Sequence, residues 1–211
     1  MKKYYSETFE KIPGEKSERI LRLSLEEFRR RGLSDTRIDD IAKKAGISHG
    51  SMYTYFASKD DLIRTIIQRG HQVQRQAFSG SEEKTLDVFE NIERILSTSL
   101  AIAVTDPDSI SIWLELSFEY NARFSEDTLV LEKEGITFWK DIIKQGIDEG
   151  SISDRIDAAA AAFCVDGIVG TLMKSYISNH EKEKLYMHFG DIPTEMIVEK
   201  IMTVIRGMLQ G

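Results

Sequence analysis

Two short stretches with helical apolar spacing, Ile38 to Ala45 and His49 to Phe56, are separated only by Gly46-Ile47-Ser48. Nothing else in the chain restricts the fold as tightly. Glycine reaches the left-handed conformation that stops a helix, and a serine two positions on can cap the next helix at once. Two helices joined this closely must cross steeply, with Ile47 directed at the core between them. Thr36 is read as the N-cap of the first, with Asp39 as a short-armed capping-box partner and Ile38, Ile41, Ala42 and Ala45 on its buried face. Met52 and Phe56 anchor the second. His49, Ser51, Tyr53, Thr54 and Tyr55 are left for an outward face.

The surroundings are helical as well. Glu15 to Arg31 places Ile20, Leu21, Leu25 and Phe28 on one stripe and ends at Gly32, after a polar arm containing Pro13-Gly14. Ser58 caps the next helix, with Asp60 and Asp61 in its first turn. Helices are expected at about 58–79, 83–104, 108–122, 126–149, 155–180 and 193–210. The stretch Glu181 to Ile192 reads as either a helical extension or a loop. Three prolines in 211 residues leave little of the turn punctuation a β protein needs. The fold class is all-α, with about nine helices, in two domains: 1–57 as arm and helix-turn-helix, and 58–211 as a helical remainder.

A net charge of −7 argues at first against a polyanionic partner. Its distribution argues otherwise: residues 1–75 hold 16 Lys and Arg against 11 Asp and Glu, and residues 76–211 hold 12 against 24. The basic segment coincides with the paired helices. In such a pair the second helix enters the major groove, so its exposed side chains must exchange hydrogen bonds with base edges. Gly50 would let the backbone approach a phosphate, the amides after Ser48 would face the same anion, and Lys59 stands just beyond.

The run from Thr36 through Ser48 and Phe56 to Leu62, TRIDDIAKKAGISHGSMYTYFASKDDL, resembles the DNA-binding signature of the TetR family, in register from Gly32 onward. The resemblance implies phosphate contacts from Thr36, Ser48, Tyr53, Tyr55 and Lys59, with Arg37 beside them, and base readout nearer His49, Gly50, Ser51 and Thr54. His49 stands where lysine is commoner. It further implies a homodimer on a near-palindromic stretch of double-stranded operator DNA, and a small-molecule inducer, of unknown identity, that releases a repressor. The residues serve an activator or a ligand-independent regulator equally, and a helical interaction module without DNA binding is a further alternative.

In the remainder, only Phe138-Trp139, Gly146 to Gly150, the alanine-rich start of the helix at 155–180 and Asp166 to Gly170 match the family in general terms. Trp113, Phe118, Phe138, Trp139, Phe163, Met173 and Tyr176 are candidates for an inducer pocket or for ordinary core. Glu115 and Glu119, four apart beside Trp113, suit a cationic ligand or a solvated face. Gly167 and Gly170, one turn apart, with Ile197, Ile201 and Ile205, are candidates for a dimer interface.

No enzyme is expected. His49, His71, His180 and His188 form no metal motif, Cys164 sits in an apolar helix, and neither a phosphate-binding loop nor a nucleophile elbow occurs. No cofactor or metal is expected. A lone cysteine, the lack of a signal-peptide pattern, and the lack of an apolar run near ~18 residues point to a cytoplasmic protein with no membrane partner.

Overall fold

The computed structural model describes residues 2–79, 87–108, 110–111 and 124–211; the side chains of residues 73–79, 125 and 131 are not described. Ten α-helices, and no strand, occur among the described residues. The helix expected at 108–122 lies largely outside them, as do the pocket candidates Trp113, Glu115 and Phe118 and the neighbouring Glu119.

The chain forms two compact units, the first comprising residues 1–74 and 111–128. It begins with α1 (Glu7–Glu10), a single turn inside the expected polar arm, capped by Ser6. Its one buried residue, Phe9, gives that turn its purpose, stacking on Phe56 with ring centroids 4.7 Å apart. Helix α2 (Gly14–Asp35) buries Ile20, Leu21, Ser24, Glu27 and Phe28 on one face. Leu25, expected on that stripe, is only half-buried. At Gly32 the backbone leaves helical geometry, with φ 80° and ψ 160°, which glycine alone adopts without strain.

Helices α3 (Ile38–Ala45) and α4 (His49–Tyr55) follow the spacing that predicts them. Gly46 takes φ 68° and ψ 33°, and the Ile47 N–H closes back on the Ala42 carbonyl at 3.0 Å, ending α3 in a left-handed turn. The start of α3 differs from the expectation. Arg37, not Thr36, is its N-cap residue, and no side chain caps it. Thr36 is buried, and its hydroxyl donates backward to the carbonyls of Gly32 at 2.8 Å and Glu27 at 3.1 Å. Helix α5 (Lys59–Ser79) starts on Ser58, whose oxygen accepts from the Asp61 N–H, and buries Leu62, Ile63, Ile66 and Ile67.

The second unit comprises residues 75–110 and 129–211. It holds α6 (Val88–Thr105), the larger part of α7 (Ser125–Asp148), α8 (Ala158–Ile177), α9 (Asn179–Phe189) and α10 (Thr194–Gln210). Asp87 and Glu90 form a reciprocal capping box on α6. The core joins Phe89, Ile92 and Leu96 of α6 to Trp139 and Ile143 of α7, Val165 and Leu172 of α8, and Met202 and Ile205 of α10. The undecided stretch after Ser178 is a separate helix, α9, with none of its residues fully buried.

Against the expectation of no apolar run of such length, α8 is long and apolar enough, by length and composition, to cross a membrane. Its alanines, with Phe163, Val165, Ile168, Val169 and Leu172, raise the mean hydropathy while Asp166 and Lys174 interrupt the apolar run. Ala161, Ala162, Val165, Val169 and Leu172 are buried in the core of this unit.

Candidate DNA-binding surface

Helix α4 is held from three sides. Met52 is 1% exposed beneath it, the Ser48 hydroxyl oxygen accepts from the Ser51 N–H at 3.0 Å at its start, and Phe56 closes its end on the Met52 carbonyl. The arm supplies a further brace: the Ser6 N–H donates to the Tyr55 carbonyl at 2.9 Å, and Phe9 packs on the Tyr55 ring. His49, Gly50, Tyr53 and Thr54 are exposed and Ser51 is half-buried. The sequence-derived outward set is therefore brought together on one short helix, except for Tyr55.

Tyr55 is buried at 6% exposure, because it follows Met52 by three residues and shares its inward face. Its ring also carries the Lys16 ammonium 5.8 Å above its centroid. Thr36 is likewise turned inward. The Lys59 ammonium donates to the carbonyls of Leu33, Ser34 and Thr36 at 2.8, 3.0 and 3.1 Å, so it tethers the end of α2 and the linker into α3. Arg37 is extended into solvent, with Nη2 3.7 Å from an Asp39 oxygen.

Two features of this surface have no signal in the local sequence pattern. Asp39 of α3 bonds Nδ1 of His49 in α4, and the His49 ring also meets Tyr53 at 4.7 Å between centroids. Behind them, Glu27 of α2 is buried yet charged. It accepts from Arg30 at 2.7 Å and Lys44 at 3.2 Å and pairs with Arg31 at 3.2 Å. Hydrogen bonding from Arg30 lowers the Glu27 carboxyl below its ordinary value; burial works against this, and Lys44 adds to it. The ammonium of Lys44 also bonds Glu26, so α3 is laced to α2 through charge.

A model of bacterial regulatory proteins of the tetR family matches residues 20–66, which span α2, α3, α4 and the start of α5. Residues 20–66 form a DNA-binding domain of the TetR family. With this domain the chain is a DNA-binding transcription regulator and not an enzyme. The fatty acid metabolism regulator protein of Bacillus subtilis is 22% identical over 169 residues, 79% of this chain and 86% of its own. The transcriptional repressor KstR2 of Mycobacterium tuberculosis is 25% identical over 142 residues, 65% of this chain and 70% of its own. Among solved structures, the Bacillus subtilis regulator FadR in complex with stearoyl-CoA superposes with a TM-score of 0.70 at 18% identity. The match covers 89% of this chain and 96% of that one, and shows a shared fold.

The remaining sequence-derived residues fall in the second unit. Trp139 is buried, with Phe138 edge-on to it at 5.5 Å. Met173 and Tyr176 are half-buried against the core, and the Tyr176 hydroxyl meets that of Thr194 at 2.7 Å. Phe163 stands apart from these pocket candidates, 80% exposed on α8. Ile197 and Ile205 lie in the unit's own core and Ile201 is half-buried, so the free face of α10 carries Met196 and Val204 instead. Gly167 and Gly170 have no atom within 4 Å of where a Cβ would stand.

Proposed function

We propose that the protein is a repressor that binds a near-palindromic operator as a homodimer and leaves it when a small molecule binds. Residues 1–57 serve as the DNA-binding domain and residues 58–211 as the ligand-binding and dimerisation domain. The observation that carries this reading is α4 itself: a seven-residue helix anchored by Met52 and Phe56 that leaves His49, Gly50, Ser51, Tyr53 and Thr54 unburied at major-groove width. Ser48, His49, Gly50, Ser51, Tyr53, Thr54 and Arg37 would meet DNA directly. Thr36, Tyr55 and Lys59 would serve it by holding the elements in place.

A second copy is supported by the open faces of α8 and α10. Phe163, Val204 and Met196 expose 80%, 61% and 44% of their surface, and Gly167 and Gly170 leave room for another backbone on α8. Two recognition helices on a two-fold axis would meet half-sites about one turn of DNA apart. The repressor direction follows the name borne by KstR2. The inducer to try first is a long-chain acyl thioester, because the similarly folded FadR is seen with stearoyl-CoA. Such a ligand releases DNA only if it prefers the conformation with misplaced recognition helices. A DNA-bound repressor of this kind acts in the cytoplasm.

The test is binding to a fluorescent fragment of the gene's own upstream region, at two salt concentrations with excess nonspecific duplex. Specific binding that weakens with salt and is abolished by an acyl thioester is the expected result. Binding indifferent to sequence would refute the operator reading, and binding unmoved by every ligand shown to occupy the protein would refute induction.

A further inference from the structure

We propose that Asp39 is a specificity-determining residue, acting through His49 to make the recognition helix an acceptor that selects an amino group on a base edge. The inference rests on the DNA-binding reading above and adds the chemistry that one position of the operator must satisfy. His49 is the first residue of α4, and Asp39 lies in α3, so their contact crosses the two helices of the motif. One carboxylate oxygen of Asp39 meets Nδ1 of His49, and the other lies 3.7 Å from Arg37. The face of the imidazole rests against Tyr53, the two planes inclined at 46°.

A carboxylate only accepts hydrogen bonds, so the nitrogen facing it must carry the proton. In a neutral imidazole this leaves Nε2 with its lone pair and no hydrogen. The side chain remains 61% exposed, so Nε2 is the atom available to a base. In the major groove the hydrogen-bond donors are the exocyclic amino groups, N6 of adenine and N4 of cytosine; O6 and N7 of guanine and O4 of thymine are acceptors. An Nε2 lone pair therefore accepts from A or C and repels G or T. A side chain that only donates would choose the opposite pair.

Asp39 itself need not touch DNA. Its role is to hold the proton on Nδ1 and, with Tyr53, the plane of the ring. Replacing it with asparagine, whose amide can donate to Nδ1, allows the proton to move to Nε2 and reverses the preference.

The test is selection from a random duplex pool at pH 8 with wild type, His49→Ala and Asp39→Asn, each checked for helical content. Wild type should recover a near-palindrome in which one position per half-site is A or C on one strand, preferred about five- to tenfold over G or T. H49A should lose that preference and keep the rest of the motif, and D39N should shift it toward G or T. Unchanged selection by H49A, or D39N retaining A or C, would overturn the inference while leaving operator binding intact. Failure of wild type to select any motif would overturn operator binding and the inference with it. In the free protein, nitrogen-15 correlation spectra should show the proton on Nδ1; a proton on Nε2 would overturn the inference independently of DNA.

Discussion

The hydroxyl of Tyr4 donates to the carboxylate of Asp127 at 3.0 Å, joining the first residues of the chain to the beginning of α7. Arg64 of α5 completes the group, donating to the other Asp127 oxygen at 2.7 Å and lying over the rings of Tyr4 and Phe124 at 5.4 Å each. The arm is thus fixed at Tyr4, while two residues on Ser6 holds the end of the recognition helix.

Tyr4→Phe removes one partly buried hydrogen bond and should cost about 1 kcal/mol in urea unfolding. It should also change the alkaline limb. Burial first, and the bond to Asp127 second, raise the Tyr4 phenol above its ordinary value. The folded chain therefore holds that proton more tightly than the unfolded chain. The resulting stability is complete below about pH 10 and falls away as the pH rises through the folded value. Urea midpoints from pH 8 to 11 should fall less steeply for Y4F than for wild type; parallel profiles would remove Tyr4 from the titration.

Glu27 has the opposite sign. Its lowered carboxyl stabilises the fold above the ordinary glutamate range and ceases to do so as the pH falls through the folded value. Glu27→Gln should cost about 2 kcal/mol at pH 7, because the Arg30 and Lys44 cations then bond a neutral amide instead of a carboxylate. The deficit should shrink between pH 5 and 3. Melting curves across that range decide it, and a constant deficit would assign Glu27 a packing role alone.

Glycines 46 and 146 look alike in sequence and should fail for different reasons. At Gly46 a Cβ meets nothing within 4 Å, so Gly46→Ala costs only the left-handed backbone, about 1 kcal/mol. At Gly146 it would stand 2.7 Å from Cδ1 of Ile152 and 3.0 Å from Cγ2 of Val88, so Gly146→Ala overpacks the core by about 1–3 kcal/mol. Shortening Ile152 to alanine in the G146A background should recover part of the loss, whereas shortening Leu33 in the G46A background should recover none. Equal behaviour in the two double variants would contradict this distinction.

Phe163→Glu places a charge on the open face of α8 and touches nothing in the unit's buried core. Sedimentation should show a dimer for wild type and a monomer for F163E at micromolar concentration, with thermal unfolding of the monomer still cooperative. A wild-type monomer, or a dimer unaffected by the charge, would refute the assigned interface.

The paired helices around Gly46 were legible because their signals are local: a left-handed turn, a serine cap and one apolar face, all within ten residues. Tyr55 misleads because a tyrosine serves a wet or a dry face equally, and only its three-residue distance from Met52 shows which. Thr36 misleads similarly, since a threonine before a helix reads as a cap until its hydroxyl is seen to turn back on Gly32. Glu27 was hidden because its partner Lys44 is 17 residues away and a carboxylate gives no hint of burial. The α10 isoleucines expose a deeper ambiguity. A stripe such as Ile197, Ile201 and Ile205 looks the same whether it packs against its own unit or against a second chain, and the fold places Ile197 and Ile205 in the unit's own core.

Of the seven residues in α4, only Met52 and Tyr55 are buried. A helix this short would not persist by itself in water, so its existence is underwritten by its neighbours. The letters that read an operator are therefore nearly uncoupled from those that keep the protein folded. Substitutions at His49, Gly50, Ser51, Tyr53 and Thr54 could redirect the regulator to new genes at little cost in stability, and a duplicated copy could diverge in target long before it diverged in architecture.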